Sequence, residues 1–346
     1  MPRPEAPRPR TARTGPRARS RPSARTRRIL AAVVASGAAL TVLGSANAAA
    51  DAASANTAST ASTVSTAVDR SEDSGGDGAY GRSGGSDRSD AAKVTCHSRD
   101  GRLAGRLSHD IAGALHGRQG TEAVALYDRH TGTSCDLRGH AKFDSASVVK
   151  VTVLGSLLRK AEDSHRKLTA HEKKAATAMI TKSDNEATTD LWHRVGVDHV
   201  KHFLKLAGMR ETTPGRGGTW GLTQITAADQ AKLLKLLTAH NTVLHDKSRS
   251  YALTLLNKVE RDQRWGTPAG APDEAVTHVK NGWLERSSHG WRVHSVGAFT
   301  GHRADGGGAA DYGIVVLTHG NKTMGHGVDS IERAARAVHR DLADAR

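Results

Sequence analysis

Cysteine, aromatic side chains and long apolar runs are all scarce in this 346-residue chain, and each scarcity removes a class of function. The two cysteines, Cys96 and Cys135, stand too far apart for a local zinc hook. No His-Glu-x-x-His pattern joins the nineteen histidines, which read as scattered surface residues. No metal and no other cofactor is expected. No cysteine precedes Cys96, which excludes lipid attachment at a signal-peptide cysteine. The chain has only five Trp, four Tyr and three Phe. They form no ladder interleaved with basic residues, so nucleic acid is not the expected partner. The apolar run at residues 29–44 is short for a membrane span. No internal repeat is present.

Basic charge is abundant: the net charge is +15. Much of it lies in residues 1–28, which hold ten arginines against one acid, Glu5. The basic head, the short apolar run and the small residues "ANA" that follow form the three-part pattern of a secretory signal over residues 1–50. Arg27-Arg28 before the run also suits a twin-arginine signal. Residues 51–92 are rich in Ala, Ser, Thr, Gly and Asp, with little to bury, and read as a disordered linker. Residues 93–346 are long enough for one domain with a sizeable core. The expected location is secreted or cell-wall associated, as a monomer with no stable membrane insertion once the signal is cleaved. Outside the cell Cys96 and Cys135 form the one disulfide that two cysteines allow.

Residues 103–117 carry apolar residues at helical spacing and end at a glycine. "TEAVALYDRHTGTSCDL" alternates and turns at "HTG", the pattern of a hairpin. Helical patterns then follow in succession, one opening at Ser147 and one at the capping box Thr169/Glu172. Three glycine-separated strand patterns and a closing amphipathic helix complete the chain. The simplest assembly is an α+β, two-lobed fold. One antiparallel sheet joins early and late strands, N- and C-terminal helices cover it, and an all-helical lobe sets a cleft beside it.

Three short stretches carry chemistry. In Ser147-Val148-Val149-Lys150 a hydroxyl and an amine share a helix face one turn apart, at the start of an apolar run. A serine needs a base within hydrogen-bond reach, and desolvation favours the neutral amine. Ser183-Asp184-Asn185 follows the helix ending "AMITK" and alone reads as a turn or cap. Lys280-Asn281-Gly282 lies in the first late strand, where the glycine permits close approach to the backbone.

In this order the three stretches resemble the class A β-lactamase-like serine hydrolases of the penicillin-recognising serine enzyme family, over nearly all of residues 93–346. The resemblance implies an acylated nucleophile at Ser147 with Lys150 as base partner. Ser183 would relay protons to the leaving nitrogen, and Asn185 would bind the substrate amide. Lys280 would attract a substrate carboxylate, and Asn281 and Gly282 would line the substrate site. The N–H groups of Ser147 and Trp283 would form the oxyanion hole. Two departures stand out. The middle residue of the third motif is usually threonine or serine, whose hydroxyl contacts the substrate carboxylate; here it is Asn281, a longer donor. The Glu-x-x-Leu-Asn stretch whose glutamate activates water is absent. Glu211 comes too soon after Gly208 to replace it, and Gln224 can orient a water but is no base. Arg286 and Arg292 could add positive charge for a carboxylate or be plain solvated strand charges. Three readings follow: a hydrolase acting on a β-lactam or related amide or ester, a D-alanyl-D-alanine carboxypeptidase-type or slow penicillin-binding enzyme on peptidoglycan-like peptides, or a non-catalytic binding module of the same fold.

Overall fold

The Asp100 carboxylate accepts the amide of Arg102 at 2.9 Å and so fixes the start of the first helix. From there Leu103, Leu107, Ile111 and Leu115 fall on one buried stripe. The computed structural model describes residues 93–301 and 310–345; the expected signal and linker lie outside the described residues. In chain order the elements are β1 (Thr95–His97), α1 (Gly101–Leu115), β2 (Thr121–Asp128), β3 (Thr133–Leu137) and β4 (Phe143–Asp144). A 3-10 turn (Ala146–Val148) leads into α2 (Val149–Asp163), followed by α3 (Ala170–Thr181), α4 (Asn185–Val195) and α5 (Val197–Leu206). Then come β5 (Gln224–Ile225), α6 (Ala227–Thr238), α7 (Asp246–Asn257), β6 (Val276–Glu285), β7 (Trp291–Gly301), β8 (Ala310–Asn321) and α8 (Met324–Asp344).

Six strands form one antiparallel sheet in the order β1-β3-β2-β8-β7-β6. Alternation along the strands sorts two cores. Val124 and Leu126 of β2, with Ile314 and Val316 of β8, pack with α1 and α8. Ala123, Ala125 and Tyr127, with Val315 and Leu317, face the helical lobe. Each fully buried Leu or Ile contributes about 1.5–3 kcal/mol of transfer free energy. The disulfide expected between Cys96 and Cys135 is present as a cross-strand pair of β1 and β3. It closes a loop that the chain-entropy model values at about 4 kcal/mol. No described helix is long and apolar enough to cross a membrane.

In the helical lobe α2 is covered all round; eleven of its fifteen residues are buried, Lys150 among them. It lies so close to α5 that a β-carbon on Gly155 would stand 2.4 Å from the Phe203 ring. The capping box of α3 forms as expected, and Arg166 clamps Glu172 from outside with bonds of 2.8 and 2.9 Å. That guanidinium, with help from the Thr169 amide, holds the Glu172 carboxyl down at about 2. The helix opening is shifted from expectation: Ser147 sits in the 3-10 turn, and α2 begins at Val149. Ser183-Asp184-Asn185 joins two helices: Asp184 accepts the Ala187 amide at 2.8 Å, and Asn185 is the first residue of α4.

Candidate active site

The turn that carries Ser147 is held from two directions. On one side β4 pairs with β5, Phe143 opposite Ile225 and Asp144 opposite Gln224, and the Ser145 amide donates to Thr223 O at 2.9 Å. On the other side β6 comes so near that a β-carbon on Gly282 would lie 2.8 Å from both Ser147 N and Val148 N. Any side chain there must displace the turn, which is the physical reason for glycine at the third motif. Between these supports Ala146 takes the left-handed conformation, φ 45°. For a residue with a β-carbon this costs about 1–3 kcal/mol, held in place by the surrounding structure. Ser147 is left half-buried.

Lys150 points from the first turn of α2 toward the joint between α3 and α4. Its Nζ donates to Ser183 O at 2.6 Å, Ser183 Oγ at 3.0 Å and Asn185 Oδ1 at 2.8 Å. Lys280 reaches the same hydroxyl from the sheet, with Nζ 3.0 Å from Ser183 Oγ and 2.9 Å from Asn281 O. Ser183 therefore accepts from two amines, and its own proton remains available to donate. It too is left-handed, φ 55°, which turns its side chain and its carbonyl to the lysines together.

Both lysines are fully buried. Burial brings the Lys150 amine down to about 8, against a smaller upward pull from the Asp184 carboxylate. Burial, with the neighbouring Lys150 charge second, drives Lys280 well below the ordinary lysine value. With a value near 8, about one Lys150 in ten is neutral at pH 7, and a neutral amine can take a proton.

The strand β6 is one of the two edge strands of the sheet. N–H and C=O of one residue share an edge and alternate with the next residue. The Trp283 N–H therefore leaves the strand on the same edge as Asn281 O, the carbonyl to which Lys280 donates. The Trp283 ring packs against Trp265, centroids 5.9 Å apart. Asn185 also lines a groove of about 470 Å³ with Glu186, Thr189, Asp190 and His193.

Three sequence expectations change here, and one stands. Asn281 does not hold donors ready for a substrate: Nδ2 already donates to Gln263 O at 2.9 Å and Trp265 O at 2.8 Å. Arg286 is exposed, as expected of a solvated charge, whereas Arg292 is not, and neither stands unpaired for an anion. Both bind Asp144 Oδ2 at 3.0 Å, and Arg292 is buried. Gln224 spends its amide on Asp144 Oδ1 at 2.6 Å and Leu222 O at 3.1 Å rather than presenting it to a water. Glu211 pairs with His140 at 3.0 Å, in keeping with its exclusion from a catalytic role.

The sequence does not place two features at the site; in it Trp220 is one of four tryptophans near glycines, and Trp283 is the favoured one for the cleft. Trp220 lies with its ring centroid 5.0 Å from Lys150 Nζ, tied to α4 by an indole N–H to Thr189 Oγ1 at 3.1 Å. His294 is fully buried behind Asp144; its Nδ1 accepts the Thr318 amide at 3.1 Å, which leaves Nε2 to donate to Asp144 O at 2.8 Å. Among the described residues no three His, Cys, Asp or Glu side chains lie together as a metal site.

Relatives bear on this arrangement. The chain is 27% identical over 184 residues to the Mycobacterium tuberculosis and Mycobacterium bovis proteins named "Putative lipoprotein LppW", covering 51% of this chain. It spans 58% of the length of those relatives. Its fold is similar to a class A β-lactamase from Bacteroides cellulosilyticus, with TM-score 0.60, 16% identity, and coverage of 70% of this chain and 99% of that one. A β-lactamase from Sphaerobacter thermophilus gives 0.58, 21%, 69% and 97%, and PBP-A gives 0.60, 17%, 70% and 97%. A model of the β-lactamase enzyme family matches residues 166–342, which take in Ser183 and Lys280 and begin after Ser147 and Lys150. That match covers half of the chain, and with the shared fold it makes this protein a member of the β-lactamase enzyme family.

Proposed function

We propose that this protein is an exported serine hydrolase that accepts a β-lactam or a related amide or ester on Ser147. The observation that carries the reading is the hydrogen-bonded line Lys150–Ser183–Lys280, with Ser183 Oγ 3.0 Å from each amine. In this reading the neutral Lys150 amine takes the Ser147 proton as Oγ bonds to the substrate carbonyl carbon. The oxyanion forms against the N–H groups of Ser147 and Trp283. The carbon–nitrogen or carbon–oxygen bond then breaks, and the leaving atom takes a proton from Ser183, which is replenished from Lys150. Water releases the acyl group by adding to the same carbon, and the Ser147 oxygen leaves with a proton. Asn185 binds the substrate amide. Residues 1–50 serve as the signal, 51–92 as the linker and 93–346 as the catalytic domain, secreted or held at the cell wall.

A second reading concerns the last step. The indole of Trp220 lies over Lys150, and Glu211, the one acid in residues 209–226, is held on His140. No carboxylate from that connection activates the water, so the acyl-enzyme is long-lived, as in a penicillin-binding protein. A PBP-A variant has been crystallised as an acyl-enzyme with penicillin G. Mass spectrometry after incubation with penicillin G tests both readings. An adduct on Ser147, absent from Ser147→Ala, supports acylation, and its half-life separates turnover from a trapped acyl-enzyme. No adduct with a β-lactam or an acyl-ester probe leaves only a binding module.

A further inference from the structure

One residue is bonded to each of the segments that frame Ser147. Asp144 ends β4, three residues before Ser147, and its side chain is only 10% exposed. Its Oδ1 accepts the Gln224 amide at 2.6 Å, which ties it to the connection that carries Trp220. Its Oδ2 accepts Arg286 Nη1 at 3.0 Å and Arg292 Nε at 3.1 Å. Its main-chain carbonyl takes His294 Nε2 at 2.8 Å. The two arginines flank the hairpin that joins β6 to β7. Arg286 follows the last residue of β6, and Arg292 stands opposite Leu284, two residues beyond Gly282. Arg292 is buried and also donates through Nη1 to Gly290 O at 3.1 Å, so it is fixed to the hairpin as well as to Asp144.

The chain from Asp144 to Ser147 is short and strained. Ser145 is fully buried with its amide on Thr223 O, and Ala146 takes the left-handed conformation. A residue with a β-carbon stays there only where its surroundings hold it. After the turn α2 supplies that hold; before it Asp144 and Ser145 do. Without the charge at Asp144, two guanidinium groups that share one oxygen would stand together unneutralised, and like charges separate. The hairpin would then draw β6, with Gly282 and the Trp283 N–H, away from the Ser147 amide.

We propose that Asp144 is a positioning residue for acylation: by tying Gln224, Arg286 and Arg292 to the residue that leads into the Ser147 turn, it sets the distance between Ser147 and β6. This rests on acylation of Ser147 as described above. Asp144 acts through the turn and the strand, not by touching substrate, and so governs the bond-forming step more than substrate binding.

The test uses the full chain and penicillin G. Acylation is followed by quenched intact-mass spectrometry over a range of penicillin G concentrations, which separates the limiting rate constant from the half-saturating concentration. Asp144→Asn, close in size and uncharged, should lower the limiting rate constant about tenfold and leave the half-saturating concentration within about twofold. The midpoint of the pH profile should stay at about 8, since Lys150 keeps its own partners. Arg286→Gln removes only the exposed arm of the tie and should lower the limiting rate constant about threefold. A residue that merely stabilised the fold would lower the melting temperature and leave the limiting rate constant, measured well below melting, unchanged; that result overturns the positioning role while leaving acylation intact. If Asp144→Asn does not fold, Arg286→Gln decides by the same criterion. No adduct from the unaltered protein overturns acylation itself, and the positioning role with it.

Discussion

Lys150 meets two regions of the molecule, and they treat it differently. The joint of α3 and α4 gives it three hydrogen-bond acceptors, while the connection over residues 209–226 gives it the face of an indole. The first region keeps the amine placed and ready to exchange a proton through Ser183. The second stabilises a cation by roughly 0.5–2 kcal/mol but has no proton chemistry of its own. In the proposed mechanism, forming an acyl-enzyme needs the first region alone, and releasing it quickly needs a base from the second, where Trp220 lies.

Breaking the first region has the largest expected effect. Gly282→Ala places a β-carbon 2.8 Å from the amides of Ser147 and Val148, and the turn must shift. Acylation should fall by about 100-fold, the loss typical of a disturbed reacting geometry. Thermal melting moves much less, which stopped-flow acylation and calorimetry together would show. Changing the second region works in the other direction. Trp220→Glu puts a carboxylate beside Lys150; the acyl-enzyme half-life should shorten by about 100-fold. The Lys150 amine should titrate above 8, since a neighbouring anion favours the charged form. An unchanged half-life would separate Trp220 from the release step.

Beneath the Ser147 turn the prediction concerns stability. Burial holds His294 down at about 4, against an ordinary value of 6.5, and the Asp144 carbonyl only partly opposes it. The unfolded chain therefore binds the extra proton first as pH falls. Stability is complete above about 6.5 and is lost progressively toward 4, by about 3 kcal/mol. Urea unfolding across that window checks the slope, and His294→Gln should flatten it. The smallest effect lies far from the cleft: Thr169→Ala removes one half of the α3 capping box and should cost about 1 kcal/mol with acylation unchanged.

The residues that were legible in the sequence are those whose local chemistry is self-contained. The Thr169/Glu172 box, the stripe of α1 and the alternation of β2 and β8 each state their structure within a few residues. The three motifs could be read as one site because the resemblance supplied their order; the spacing of Ser147 and Lys150 alone did not bring Ser183 between two amines. What stayed hidden depends on distant partners. The commitment of Asn281 rests on carbonyls 16 and 18 residues away, and that of Arg292 on an aspartate 148 residues away. Trp220 lies in a stretch of glycines and threonines with no periodicity to orient it. The helix α4 went unread because its start, Asp184-Asn185, looks the same as a turn until the Ala187 amide is seen on Asp184.

The central claim is that the buried Lys150 amine, in its neutral form, activates Ser147. The direct measurement is the acylation rate of the unaltered protein as a function of pH. The account predicts a rate that rises about tenfold per unit below pH 8 and levels off above it, following the Lys150 amine. A profile that is flat from pH 6 to 10, or one still rising beyond pH 10 as for an ordinary lysine, would contradict it.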